Sequence, residues 1–175
     1  TLTLVVIFGG VGLYAYSFVK SVEQTARDAA SAGNDVIVGI QTQDLTKAKE
    51  GAGRLKEKVG EIQGKYNRVA FLKAIPFAGI YVSDGQHVLN AAVAGVEGVN
   101  KLILAIEPYS DLLGFKTESN NKVEIKSIED RIVFLVNTLG KITPQLDSIS
   151  GDLNSVKEEL GQINPNRYPE TIMGK

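Results

Sequence analysis

Residues 42–69 read TQDLTKAKEGAGRLKEKVGEIQGKYNRV. Apolar side chains fall at Leu45, Ala48, Ala52, Leu55, Val59, Ile62, Tyr66 and Val69. The steps alternate three and four. That returns each of them to one face of an α-helix and traces a coiled-coil-like heptad seam. Lys47, Lys49, Glu50, Lys56, Glu57, Lys58 and Glu61 fall between the apolar positions, on the solvated faces. Asp44 is placed to cap the helix, after a tight turn at Thr42–Asp44. Gly51, Gly53, Gly60 and Gly64 each cost about 1 kcal/mol relative to Ala in a helix interior. The helix is therefore expected to need a packing partner.

That partner is predicted immediately upstream. Val22, Ala26, Ala29, Gly33, Val36 and Ile40 keep the same spacing, which predicts a helix running to about Gln41. A short turn between two striped helices favours an antiparallel hairpin, here over 20–75. Before it stands TLTLVVIFGGVGLYAYSFVK, residues 1–20, whose first charge is Lys20. Nineteen helical residues reach about 28 Å, close to a hydrocarbon core of about 30 Å. Residues 1–19 are thus read as a transmembrane helix whose partner is the lipid bilayer, and Tyr14 and Tyr16 suit an interfacial belt. Two alternatives stand beside it. A signal peptide has a shorter apolar region of roughly 7–15 residues. Its one cleavage-like triplet here, Ala15-Tyr16-Ser17, precedes further apolar residues. A buried core helix, apolar all round, needs a larger protein about it.

Downstream, Pro76 in AIPFAG (74–79) breaks the pattern. A third helix is expected over 76–113, on the stripe Val82, Gly85, Leu89, Ala92, Val96, Val99, Ile103, Ile106. Ser83 or Asp84 would cap it, and the small residues of AAVAGVEGV (91–99) would allow close helix approach. Residues 114–127 read as a polar loop. Residues 128–163 carry the longest stripe, from Ile128 to Ile163, with a kink or short break near Pro144. Residues 164–175 form a Pro-containing exit segment. The fold class is all-α: a transmembrane helix continuing into an elongated antiparallel bundle of about four long, coiled-coil-like helices with shallow crossing angles. Beginning at Thr1 rather than Met, the chain reads as a piece of a longer protein.

Four segments carry a resemblance: the N-terminal apolar helix, QDLTKAKEGAGRLKEKV, LKAIPFAGIYVSDGQHVLNAA, and LDSISGDLNSVKEELGQINPNRYPE. Together they resemble the membrane-proximal region of bacterial proteins with domain of unknown function 4012. The resemblance implies a single-pass protein of the bacterial cytoplasmic membrane, its bundle facing outside and a further domain following. It implies no functional residues.

Composition narrows the chemistry. The 175 residues hold 19 Lys and Arg against 20 Asp and Glu, for a net charge of −1. The cations are dispersed, which excludes the clustered charge a nucleic-acid binder needs. With no Cys and one His, neither a disulfide framework nor a thiolate or His-rich metal site is expected. GVGLYAYS and GAGRL follow no predicted strand and are not phosphate loops. Asp84 lies three residues before His87, so a contact is geometrically possible, but a catalytic base also needs a nucleophile beside it. Glu57, Glu61 and Lys65, and Glu158 with Glu159, read as solvated flanks. No catalytic, cofactor or metal residues are assigned, and no enzyme is expected. The unusual polar cluster is Asn166, Arg167, Tyr168 and Pro169, a docking motif or a rigid chain exit.

The expected function is a membrane-anchored extracytoplasmic stalk or scaffold of the cell envelope, with a second copy or an envelope protein as partner. Two alternatives are a sensory four-helix ectodomain, which needs a second span downstream, and a helical membrane-active protein that buries residues 1–19 in its soluble form.

Overall fold

A computed structural model describes residues 2–76, 78–110, 113–116 and 128–168; for 2–16, 78 and most of 128–142 only the backbone is described. The predicted polar loop from 117 onward and the exit segment from Pro169 lie outside the described residues. The described chain is helical: α1 (Leu2–Gln41), α2 (Leu45–Asn67), a 3-10 turn (Ala70–Ala74), α3 (Ala78–Ile106), a 3-10 turn (Glu107–Tyr109), α4 (Ile128–Gly161) and a 3-10 turn (Pro165–Arg167). No strand occurs among the described residues; one isolated bridge joins Asp44 and Lys116.

α1 is a single helix of 40 residues, about 60 Å long. It ends where Gln43 enters the left-handed region, at φ 55°, a conformation that costs a non-glycine residue about 1–2 kcal/mol. Backbone bonds hold that turn: Asp44 N donates to Gly39 O at 2.7 Å and Lys116 N to Gln43 O at 2.6 Å. Asp44 is the N-cap of α2, its carboxylate accepting Lys47 N at 2.9 Å. A second free donor at that helix start, Leu45 N, bonds Lys116 O.

α1 and α2 pack with their contacts in opposite sequence order. Lys65 reaches Ser21 and Thr25, Arg54 reaches Asp35, and Gly39 meets Ala48. The buried face of α1 is Thr25, Ala29, Ala32, Val36 and Gly39. This corrects the predicted stripe, which placed Ala26, Gly33 and Ile40 in the seam. The cause is backbone proximity: a Cβ on Gly39 would lie 2.5 Å from Ala48 N, so the seam rotates to set this glycine against α2. Gly51 is the reciprocal contact, where a Cβ would lie 2.8 Å from Val36 N. Gly53, Gly60 and Gly64 have nothing within 4 Å of such a Cβ.

α3 lies between α2 and α4. Val36, Leu45, Ala48, Ala52 and Ile103 form one core cluster, and Val59, Leu89 and Val96 a second. Its other face is small: Gly95 faces Val156 and Gly98 faces Asp152. α3 starts at Ala78 after Ile75 takes the extended conformation (φ −87°, ψ 123°) imposed ahead of Pro76. Asp84 therefore lies inside the helix and not at its cap, as does Ser83. The segment Gly79–Tyr109 is long and apolar enough to cross a membrane, with mean hydropathy 1.4 over its most apolar window, a third of that window being buried.

α4 continues as α-helix through Pro144. It packs on α3 through Asp152, Val156 and Glu159, while Leu146, Leu153 and Leu160 are exposed. Half of the predicted stripe in this region is thus open to solvent, because one neighbour can cover only one side of a helix.

Candidate functional site

The four helices converge around an apolar cavity of about 690 Å3, at the end of the bundle where α1 leaves its charge-free segment. Phe18, Val22 and Ala26 of α1, Val59, Ile62 and Tyr66 of α2, Val88, Leu89 and Ala92 of α3, and Leu160 and Ile163 line it. Tyr81, Asp84 and Tyr168 close one corner.

That corner is built around Asp84, whose side chain is 6% exposed. Arg167 Nη1 donates to both its oxygens at 3.1 Å, and Tyr168 OH donates to Oδ2 at 2.8 Å. The Tyr168 ring meets Tyr81 edge-on, with centroids 5.9 Å apart and planes at 82°. Local chemistry aims these groups. Pro165 opens a 3-10 turn whose cap, the Asn164 side chain, accepts Asn166 N at 3.0 Å. The next two residues then face α3. Burial raises the Tyr168 phenol above its ordinary pKa, and its bond to Asp84 adds to the effect. Tyr66 OH donates to Val82 O at 2.6 Å. Asp84, Tyr168 and Tyr66 each have a partner, and the rest of the lining is apolar.

A second polar cluster lies about one helical turn on. His87 Nδ1 is 2.6 Å from Glu159 Oε2, and Asn90 Nδ2 donates to Glu159 Oε1 at 3.0 Å. A carboxylate only accepts, so Nδ1 carries the hydrogen. The hydrogen bond from His87, then that from Asn90, lowers the Glu159 pKa. Lys101 Nζ lies 2.8 and 2.7 Å from the two oxygens of Asp152. Both pairs join α3 to α4.

Of the predicted site residues, Arg167 and Tyr168 come together on Asp84, Asn166 contributes its backbone to the turn and is otherwise exposed, and Pro169 lies outside the described residues. The contact envisaged between His87 and Asp84 does not form, since each binds a different part of the C-terminal region. Glu159 is not a solvated flank, and Lys65 crosses to α1, donating to Ser21 O at 2.9 Å. Glu57 and Glu61 do flank Lys58 in exposed ion pairs. The sequence did carry a signal for Asp84: it is the only Asp, Glu, Lys or Arg between Lys73 and Glu97. A lone carboxylate in an apolar helix implies a partner.

Among the described residues, no group of three or more His, Asp or Glu comes together to hold a metal ion. At the far end of the hairpin, Asp35, Lys47, Glu50 and Arg54 make a solvent-exposed ion network. Comparison of the chain with protein-family models, curated proteins and solved structures returned no match.

Proposed function

We propose that this chain is a membrane-anchored helical stalk or scaffold of the bacterial cell envelope. Residues 1–19 span the cytoplasmic membrane once, and an elongated, antiparallel, coiled-coil-like bundle stands outside and presents a further domain. The observation that carries this reading is the continuity of α1. One helix runs from a charge-free segment into the seam of the hairpin with no flexible joint, so the bundle is coupled mechanically to its anchor. The resemblance to proteins with domain of unknown function 4012 rests on the quoted segments alone. A second copy or an envelope protein as partner is supported by the exposed Leu146 and Leu153 on α4.

The apolar α3 supports a second reading, a membrane-active protein that inserts this helix. Against it, α3 contributes to both core clusters, and its Asp84, His87 and Lys101 are paired within the bundle, as is Glu107 just beyond it. Inserting it would dismantle the fold.

The absence of Cys makes the test direct. A Ser119→Cys variant in intact cells is treated with a membrane-impermeant thiol reagent. Labelling without lysis, together with retention in the membrane fraction after alkaline extraction, is expected. Labelling only after lysis would refute the outward orientation. Release into the soluble fraction would refute the anchor.

A further inference from the structure

The connection between α2 and α3 lies at the same end of the bundle as the predicted span. Lys65 bonds Ser21 O, and Tyr66 and Tyr81 share the cavity wall with Phe18. The chain between them therefore turns level with the point where α1 leaves residues 1–19. This turn and the start of α3 are apolar and outward-facing: Phe71 is 70% exposed, Tyr81 55%, and Ile75 and Ile80 nearly half. Val19 of α1, next to Phe18 in the chain, is exposed at 62%. Arg68 precedes the turn and is exposed; Lys73, within it, turns its ammonium toward the Tyr66 ring, 5.7 Å from the centroid, and Gln86 Oε1, at 3.5 Å.

The turn is also built. Arg68 N bonds Lys65 O, Val69 N bonds Tyr66 O, Leu72 N bonds Val69 O, Ile75 N bonds Leu72 O, and Gly79 N bonds Ile75 O. Gly79 packs so closely on the Lys73 carbonyl that no Cβ fits there. Chain that meets hydrocarbon must satisfy its backbone groups internally. This segment does so at each of these donors while holding large apolar side chains outward.

We propose that residues 70–76 and 79–81 form a membrane-interface element. Phe71, Ile75, Ile80 and Tyr81 seat at the boundary between headgroups and acyl chains, and the exposed Arg68 faces the lipid phosphates. Aromatic and aliphatic groups with a flanking cation are a composition that this boundary favours. The inference rests on residues 1–19 being the span, which sets where the bilayer lies. It adds a second attachment: α1 fixes the height of the bundle, and this turn fixes its tilt.

The chain has no Trp, so single-Trp variants report their own depth. Full-length Phe71→Trp is reconstituted into phosphatidylcholine and phosphatidylglycerol vesicles with or without brominated acyl chains. Phe8→Trp reports the span. Ile37→Trp reports an exposed site about 27 Å farther along α1 than Val19. The expected result is that brominated lipid removes more than half of the emission at Phe71→Trp and Phe8→Trp and little at Ile37→Trp. Quenching at Phe8→Trp without quenching at Phe71→Trp would overturn the interface element and leave the span standing. Quenching at Phe71→Trp alone would support the element and refute the span. Quenching at neither would refute both, and quenching at all three would overturn the element as a distinct site.

Discussion

The Asp84 corner permits a quantitative test of what docks the C-terminal turn onto α3. In Arg167→Gln the guanidinium is lost, and a carboxylate 6% exposed keeps only the Tyr168 hydroxyl. Removing one partner of a fully buried pair costs about 3–5 kcal/mol. Arg167 is itself 38% exposed, so solvent screens part of the attraction. The expected cost is about 2 kcal/mol, in the range of a charge-assisted hydrogen bond. For a chain of this size that is a fall in Tm of about 4–8 °C, read by circular dichroism in mild detergent. Most of the loss comes from stranding the Asp84 charge and not from losing Arg167 contacts. Arg167→Gln should therefore cost much less when Asp84→Asn is already present, with a coupling of at least about 1 kcal/mol across the double-mutant cycle. Urea, being uncharged, is the denaturant to use. A cost for Arg167→Gln that is the same on both backgrounds would refute the reasoning and reduce the contact to a surface pairing.

Gly51→Ala and Gly60→Ala should change stability in opposite directions. Gly60 is open and gains about 1 kcal/mol of helix propensity, whereas at Gly51 the added methyl meets α1 backbone, for a net loss of about 1–2 kcal/mol; urea melts of the two variants decide it. Glu159 has a lowered pKa in the fold, so its pairing contributes at neutral pH and is lost as pH falls below the ordinary glutamate range. Acid titration of the α3–α4 contact should show that limb, and Glu159→Gln should remove it. Tyr168 has a raised pKa, so its contribution is present below the ordinary tyrosine value and is lost as pH rises through the raised one. Tyrosinate absorbance should show a late-titrating group that is missing in Tyr168→Phe. Leu45→Ala, at the centre of the first core cluster, should cost about 2–5 kcal/mol by thermal melt.

Sequence alone determined the features that depend on a residue and its near neighbours along the chain. The spacing from Leu45 to Tyr66 specified a helix, Asp44 its cap, and Pro76 the break ahead of α3, because periodicity, capping and proline sterics act within a turn or two. It also made the Asn164–Tyr168 turn conspicuous. Tertiary structure alone decided which face of each helix became the inside. A step of three or four admits neighbouring seams, and the contact of Gly39 with Ala48 selected the one through Ala32. Four similar glycines in α2 were equivalent in the sequence until packing set Gly51 against α1 and left Gly53, Gly60 and Gly64 open. Partner choice was likewise beyond local reasoning. His87 had a carboxylate three residues away yet pairs with one 72 residues on, and Asp84 binds Arg167 across 83. A pairing at that separation is fixed by how α4 is laid along α3, and no local spacing encodes it.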